Sequence, residues 1–221
     1  MRGVVFDLDE TLLDRRGSID SYAKQLHTDL AKFVVMPRAA YLEAFHRLDD
    51  YGRAPRELFF QELASQLFAD VSPRELQSHF EAKAWRAPRL FPHVNDVLRR
   101  LRGEGWQIGI VTNGGVASQG QKIANSGLSP LVHCIVISAA LGSRKPDRAI
   151  FEHAAMQLGI NPTQSWFVGD DPRSDVWGAK QFGFRAIWVE RYLPWPADLP
   201  RCYDARIDDT AEIFKVLAGA A

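Results

Sequence analysis

From residue 88 onward, short apolar runs alternate with amphipathic stretches, and this alternation is the feature that most restricts the possible folds. A further apolar run, Val4-Val5-Phe6, predicts a first strand near the N-terminus. Strands separated by helices are joined by right-handed crossovers, which predicts a parallel sheet with helices on both faces. We therefore expect an α/β fold. The predicted strands span 107–111, 133–137, 165–168, 186–189 and 205–207, and the predicted helices span 95–102, 116–125, 147–158, 174–182 and 210–217.

Residues 17–87 differ from the rest, because they hold amphipathic helical patterns and no clear strand. Three prolines in this stretch, each followed by an arginine, suit the first position of a helix. Since the first strand belongs to the same sheet as the later ones, the helical stretch is predicted to be an insertion in the sheet domain. The prolines are Pro37, Pro55 and Pro73, and the predicted domains are a core over 1–16 and 88–221 and a helical domain over 17–87.

Polar clusters follow several of the predicted strands. In open α/β sheets, ligands bind beyond the carboxyl ends of the strands, so clusters at those ends are expected to converge on one edge. Asp7 and Asp9 are two residues apart and can face the same point. The clusters are Asp7 with Asp9, the loop 112–115, the pair 170–171, and the segment 143–146 before a predicted helix.

Carboxylates and a lysine at one edge predict a site for a hard cation and a phosphate group. Mg²⁺ prefers a few oxygen ligands, which Asp7, Asp170 and the backbone carbonyl of Asp9 would supply. Asp7 stays ionised at neutral pH and suits nucleophilic attack, while Lys145 and the metal would offset the repulsion from a phosphate dianion. Asp9 could protonate the leaving oxygen and later deprotonate a water. The Thr112 hydroxyl and the loop N–H groups that follow it would cradle the phosphate.

Several of these residues have a second interpretation. The loop that contains Thr112 and Asn113 could be a turn without a ligand, although a hairpin turn suits it poorly because a helix follows. Asp171 competes with Asp170 for the metal, but it also precedes a proline and could serve a turn. Asp175 could cap a helix or hold Lys145 in place.

Composition excludes some partners and favours one compartment. Lys and Arg together number 27, as do Asp and Glu, so neither nucleic acid nor an anionic membrane is an expected partner. Cys134 and Cys202 lack metal-ligand spacing and are expected to be reduced. No signal-peptide pattern and no apolar run of about 20 residues is present. We expect a cytoplasmic protein that acts on a small molecule, and the sequence predicts no oligomeric state.

Four segments, in order along the chain, carry the clusters described above. They are Phe6-Asp7-Leu8-Asp9-Glu10-Thr11-Leu12, Val111-Thr112-Asn113-Gly114, Lys145-Pro146 and Val168-Gly169-Asp170-Asp171-Pro172-Arg173-Ser174-Asp175. In this order they resemble the four motifs of the haloacid dehalogenase-like hydrolase superfamily. The resemblance implies a Rossmann-like core with a movable cap, and a helical block between the first and second motifs resembles the all-helical cap type.

The resemblance also implies roles for the motif residues. It implies Asp7 as nucleophile, Asp9 as acid/base, Thr112 and Lys145 on the phosphate, Asp170 on Mg²⁺, and Asp175 in support. True dehalogenases of this superfamily lack the second aspartate, so Asp9 favours phosphoryl transfer, most similar to phosphatases acting on nucleotides or sugar phosphates. A sugar-phosphate mutase remains an alternative. A receiver-type phospho-acceptor module is a further one, although such modules need no helical insertion.

The segment 50–53 is a candidate substrate loop. Gly52 and the following proline predict a break between two helices. In the resembling superfamily, a helical turn at about this distance from the first motif closes over the active site. Arg53 would offer a positive fork for a second anionic group, and Tyr51 a flat face for a base or sugar. The alternative is that Arg53 is an ordinary exposed loop residue.

Overall fold

A sheet of six parallel strands is the centre of the computed structural model, which describes residues 1–219. Its strand order is β5-β4-β1-β6-β7-β8, which is the order 3-2-1-4-5-6 when the six strands are counted along the chain. This is a doubly wound, Rossmann-like arrangement and confirms the predicted α/β class. The strands are β1 (Gly3–Phe6), β4 (Gln107–Thr112), β5 (Cys134–Ile137), β6 (Trp166–Gly169), β7 (Arg185–Val189) and β8 (Ala205–Ile207), and two short strands, β2 (Leu13–Asp14) and β3 (Arg89–Leu90), flank the helical insertion in sequence.

Strand β1 lies at the point where the strand order reverses. The chain passes from β1 to β4 and β5 on one side and then crosses to β6 on the other. Val5 is paired with Gly109 on one neighbour and with Phe167 on the other. All four residues of β1 are buried, as expected for a central parallel strand. In sheets of this kind, ligands bind beyond the carboxyl ends of the strands at such a reversal, which here are the ends of β1 and β6.

Helices cover both faces of the sheet. Val4 and Phe6 pack with residues of α5 on one face, whereas Val5 and Phe167 pack with residues of α8 on the other. This division follows from the alternation of side chains along a strand. The helices of this part are α5 (Val94–Gly103), α6 (Val116–Asn125), α7 (Ser138–Leu141), α8 (Arg148–Leu158), α9 (Gly178–Phe182) and α10 (Ile213–Ala218).

The helix predicted over 174–182 differs from the observed one. The chain instead forms a π-helical segment over Pro172–Trp177, and α9 follows it. Asp171 precedes this segment, and its side chain accepts hydrogen bonds from the backbone N–H groups of Arg173 and Ser174. This cap starts the helical segment two residues earlier than the sequence pattern indicated.

The described chain divides into two compact units. The sheet unit comprises Met1–Asp14 and the described chain from Leu90 onward, and the helical unit comprises Arg15–Arg89. Among the described residues, none of the helices combines the length and the apolar character that a membrane crossing requires.

The helical unit, all of which is described, has its own aromatic core. Tyr22, Phe45, Phe59 and Phe80 are buried there, and several of these rings meet edge to face. Its α-helices are α1 (Arg15–Asp29), α2 (Arg38–Asp49), α3 (Arg56–Leu67) and α4 (Pro73–Lys83). Pro73 opens α4 as predicted, whereas Pro37 and Pro55 each lie one residue before their helix.

A buried ion pair joins α1 to the end of α2. The Arg15 guanidinium donates two hydrogen bonds of 2.7 Å to the two carboxylate oxygens of Asp49. Arg56 Nη1 lies 3.5 Å from Asp49 Oδ1. Burial alone would raise the pKa of Asp49, but the hydrogen bonds from Arg15 and the charges of both arginines hold it below its ordinary value.

Candidate active site

Asp7 is the first residue after β1 and begins a tight turn. Its backbone N–H continues the sheet by donating to the carbonyl of Val168, and its side chain is almost fully buried. The backbone N–H groups of Leu12 and Leu13 both donate to the carbonyl of Leu8. The turn therefore closes immediately after the strand and keeps Asp7 at the carboxyl edge of the sheet.

Asp7, Asp170, Asp175 and Lys145 form one buried group, the acidic cluster. One carboxylate oxygen of each aspartate lies within 4.8 Å of the other two. Lys145 Nζ lies 2.5 Å from Asp7 Oδ1 and 2.7 Å from Asp175 Oδ1. The four side chains come from positions far apart in sequence, and the carboxyl ends of β1 and β6 bring Asp7 and Asp170 together.

The carboxylates of the acidic cluster outnumber its ammonium group. Burial raises the pKa of Asp7 to about 7, although Lys145 acts against this rise. Burial and the neighbouring carboxylates raise the pKa of Asp170 well above its ordinary value, and burial raises that of Asp175. Although burial alone would lower it, the pKa of Lys145 is raised by Asp175 and Asp7. The cluster therefore carries uncompensated negative charge when its carboxylates ionise.

A divalent hard cation fits this donor set. The available ligand atoms are carboxylate oxygens, which Mg²⁺ prefers, and their close spacing allows one ion to contact several of them. A bound cation would also relieve the charge excess. The prediction that the Asp9 backbone carbonyl joins the ligands stays a prediction, because the observed group consists of Asp7, Asp170 and Asp175.

The segment after β6 separates the roles of its aspartates. Asp171 caps the π-helical segment, and its own N–H donates to Asp175 Oδ2 at 3.1 Å. Asp170 points into the acidic cluster instead. A side chain at Gly169 would collide with Asp175, since an added Cβ would lie 2.5 Å from the Asp175 Cβ. Gly169 thus allows Asp175 to pack against the end of the strand, where it reaches Lys145.

Asn113 fixes the segment that carries Lys145. Its side-chain amide donates to the Lys145 carbonyl at 3.0 Å, and its Oδ1 accepts from the Lys145 N–H at 2.9 Å. This reciprocal pair ties the loop after β4 to the third motif. The predicted contact of Asn113 with substrate stays a prediction, and the structure gives its side chain a role in positioning Lys145.

Two residues that the sequence analysis missed contact Asp9 and Thr112. Gln119 and Lys122 lie three residues apart on α6, so they share one face of the helix. Lys122 Nζ lies 2.9 Å and 2.7 Å from the two Asp9 carboxylate oxygens. The Gln119 side-chain amide donates to Asp9 Oδ2 at 3.1 Å and to the Thr112 hydroxyl oxygen. The sequence does contain a signal for this pair: the two residues are three apart on a helix that begins directly after the second motif.

Tyr51 and Arg53 belong to the helical unit and are exposed. They flank Gly52 in the turn between α2 and α3, and Tyr51 has a positive φ of 53°. The Arg53 guanidinium lies 5.4 Å from the centre of the Tyr51 ring, and its Nη2 lies 3.3 Å from Asp50 Oδ1. The break between two helices is therefore present, and the binding role of this loop stays a prediction.

Comparisons with known proteins agree on one family. A family model described as haloacid dehalogenase-like hydrolase matches residues 1–183. A phosphoserine phosphatase of Thermus thermophilus is 34% identical over 72% of this chain, a match that spans 64% of that enzyme's length. A glyceraldehyde 3-phosphate phosphatase of Methanopyrus kandleri is 30% identical over 86% of this chain and 84% of its own. The crystal structure of a HAD phosphatase from Thermococcus onnurineus superposes with a TM-score of 0.70 at 26% identity and covers 99% of both chains.

Proposed function

The chain belongs to the haloacid dehalogenase-like hydrolases, and on that premise we propose that it is a phosphatase that hydrolyses a small phosphorylated metabolite through an aspartyl-phosphate intermediate. Family membership confirms the resemblance seen in the four motifs. The observation that carries the proposal is the acidic cluster, in which Asp7, Asp170 and Asp175 lie close together and the ammonium group of Lys145 contacts Asp7 and Asp175. This combination suits a nucleophilic carboxylate, a divalent cation and a phosphate dianion.

Asp7 is the proposed nucleophile. One of its carboxylate oxygens attacks phosphorus, and the bond between phosphorus and the leaving oxygen breaks as the acyl phosphate forms. Lys145 lies against Asp7 and stabilises the negative charge of the phosphoryl group during transfer. Asn113 and Asp175 support this step because they hold the backbone and the ammonium group of Lys145.

Asp9 is the proposed acid and base. It donates a proton to the leaving oxygen, which departs as an alcohol, and it is then an ionised carboxylate. In the second half-reaction it takes a proton from the water that attacks the acyl phosphate. That attack releases inorganic phosphate and restores the Asp7 carboxylate, so the overall reaction consumes one water and frees one alcohol. The Thr112 hydroxyl is proposed to donate a hydrogen bond to a phosphate oxygen throughout.

The proposed cofactor is Mg²⁺. When bound, it supplies positive charge that offsets the charge of the phosphoryl group and of the carboxylates. Asp7 and Asp170 are its proposed carboxylate ligands, together with the Asp9 carbonyl, and Asp175 borders the same site. The cytoplasm is the proposed compartment, since Cys134 and Cys202 are both free thiols.

The relatives guide the choice of substrates. Their names give phosphoserine and glyceraldehyde 3-phosphate, which are both three-carbon phosphate esters. The decisive experiment measures inorganic phosphate released from these two compounds, ribose 5-phosphate, a nucleoside monophosphate and p-nitrophenyl phosphate. Each reaction is run with Mg²⁺ and again with excess EDTA. We expect turnover with Mg²⁺ on at least one metabolite and none with EDTA.

One variant and three further measurements separate the alternatives. The Asp7→Asn variant must release no phosphate above the buffer rate. Production of an isomeric phosphate ester without inorganic phosphate would identify a mutase, and a single labelling of Asp7 without turnover would identify a phospho-acceptor module. Chloride release from 2-chloropropionate, with no phosphatase activity, would contradict the proposal in favour of carbon–halogen cleavage.

A further inference from the structure

Lys122 brings a buried positive charge to Asp9 from the second half of α6. Its side chain is 3% exposed, whereas that of Asp9 is 24% exposed. Both Asp9 oxygens lie within hydrogen-bond distance of the ammonium group. Burying an ammonium group is costly, and a pair of this kind is often no more stabilising than apolar residues of similar size. The contact is therefore better explained by what it does to Asp9 than by stability.

Lys122 also determines which way the Gln119 amide faces. The ammonium group has only donors, and it lies 2.7 Å from Gln119 Oε1. The Nε2 end of Gln119 must then face the opposite way, where it meets Asp9 Oδ2 and the Thr112 oxygen. A reversed amide would place an N–H group against the ammonium and an oxygen against the Asp9 carboxylate.

This orientation fixes the direction of the Thr112 hydroxyl. Because the Thr112 oxygen accepts the Gln119 N–H, its own hydrogen points elsewhere and can be donated to another acceptor. A phosphate oxygen is such an acceptor. Gly114 makes room for the arrangement, since an added Cβ there would lie 3.0 Å from Gln119 Cγ, and its φ of +143° is one that other residues rarely adopt.

We propose that Lys122 and Gln119 are positioning residues, which hold the Asp9 carboxylate in place for the leaving group and orient Thr112 to donate to the phosphate. The inference rests on the proposed phosphatase function and adds to it a link between the acid/base residue and a phosphate-binding residue. Lys122 acts on both, directly on Asp9 and through Gln119 on Thr112.

The test compares two aryl phosphates that differ in how much they need an acid. Phenyl phosphate has a poor leaving group, and p-nitrophenyl phosphate has a good one. In Lys122→Met, we expect kcat to fall about 100-fold on phenyl phosphate and about tenfold or less on p-nitrophenyl phosphate, because misplacement of an acid costs most where protonation is needed. Lys122→Arg should recover part of the loss.

The matched control is Lys180→Met, which removes a half-buried lysine paired with Asp204 and should leave the ratio of the two rates unchanged.

A second variant covers the case in which Lys122→Met does not fold, as judged by its thermal melt. Gln119→Met keeps the Lys122–Asp9 pair but removes the Gln119 hydrogen bonds to Thr112 and to Asp9 Oδ2, so it should raise KM for both substrates several-fold. Equal losses on both substrates in Lys122→Met, or an unchanged KM in Gln119→Met, would overturn the inference while leaving the phosphatase function intact. Absence of phosphate release by the wild-type protein would instead overturn the proposed function, and the inference with it.

Discussion

In the sheet unit the Lys145 ammonium group contacts the buried carboxylates of Asp7 and Asp175, and a third buried carboxylate, that of Asp170, lies beside these two. In the helical unit a single buried carboxylate, that of Asp49, lies against two guanidinium groups. The distances are alike, since both clusters contain contacts of 2.7 Å. The pKa shifts are opposite: the carboxylates of the acidic cluster have raised pKa values, and that of Asp49 is lowered.

The difference lies in what each cluster lacks. Asp49 has its charge balanced by Arg15, with a second arginine nearby, so the folded chain satisfies it without a ligand. Asp7 and Asp175 share Lys145, and Asp170 lies close to both of them, so ionisation of all three leaves negative charge that a bound cation can balance. A buried charge cluster that the chain completes is typical of structure, and one that the chain leaves incomplete is typical of a binding site.

The largest expected effect is on activity at the acidic cluster. Asp7→Asn removes the proposed nucleophile and should lower phosphate release by at least about 10⁴-fold, because nothing else in the proposed mechanism can form the acyl phosphate. Phosphate release from p-nitrophenyl phosphate with Mg²⁺ measures it. Asp49→Asn, assayed where it is folded, is the matched control and should keep most of the activity. Near wild-type turnover in Asp7→Asn would contradict the proposal that the acidic cluster is the catalytic site.

The next effect concerns Asp9, which borders the acidic cluster but pairs with Lys122. Asp9→Asn should lower kcat by about 10²–10⁴-fold, since it removes the proposed proton donor and leaves the proposed nucleophile, Asp7, intact. The loss should be greater on phenyl phosphate than on p-nitrophenyl phosphate. A loss as complete as that of Asp7→Asn on both substrates would show that Asp9 has a role besides proton transfer.

The order of the two clusters should reverse when the free energy of unfolding is measured instead of activity, so that the change at Asp49 has the larger effect. Asp49→Asn leaves Arg15 buried without its counter-charge and should lower the free energy of unfolding by about 3–5 kcal/mol, measured by urea denaturation. Glu57→Gln, at an exposed carboxylate of the same unit, is the control and should change the free energy of unfolding little.

In metal-free buffer, Asp7→Asn should be no less stable than the wild type, since it relieves the excess of negative charge in the acidic cluster. A destabilised Asp7→Asn with an unaffected Asp49→Asn would reverse the comparison.

The two clusters should also give stability opposite dependences on pH. Asp7 has a folded-state pKa of about 7 against an ordinary value of 3.8, so the folded protein holds more protons between these values. Its contribution therefore favours folding below pH 4 and is lost as pH rises to 7, in protein freed of metal. Asp49 has a lowered pKa, so its contribution is present above the ordinary value and lost at acid pH. Melting curves of metal-free wild type and Asp7→Asn from pH 5 to 8 test this: the fall with pH should be weaker in the variant.

The smallest expected effect lies in the exposed loop of the helical unit. Arg53→Ala should lower kcat/KM for the metabolite substrate by about tenfold, by removing one charged contact, and should spare p-nitrophenyl phosphate. Arg47→Ala, an exposed arginine on α2 that donates to Gln66, is the control. Equal effects on both substrates, or none, would assign Arg53 to ordinary loop structure.

Much of the sheet unit could be predicted, because its information is local. Central parallel strands are continuous apolar runs, and the residue after each run lies at the carboxyl edge, which led to Asp7, Thr112 and Asp170. Helix α6 was predicted with its observed bounds, Val116–Asn125. The sequence alone also indicated which segments carry the four motifs.

The missed features depend on contacts between distant segments. Gln119 and Lys122 are ordinary polar residues on a helix until β1 places Asp9 beside them, more than a hundred residues away in sequence. The Arg15–Asp49 pair likewise spans 34 residues. The π-helical start after Asp171 was missed because a side-chain cap there overrides the apolar period.

Gly169 has a consequence for how variation in this chain should be interpreted. Any side chain there would push Asp175 away from Lys145, yet Gly169 itself touches neither substrate nor cation in the proposed reaction. In a saturation mutagenesis experiment, Gly169→Ala should therefore score as inactive while the protein is still produced in normal amounts. A screen that reports abundance and a screen that reports turnover would disagree at this position. That disagreement would show that the residue at position 169 is restricted by catalysis. From its contacts alone, Gly169 would be classified as a packing residue.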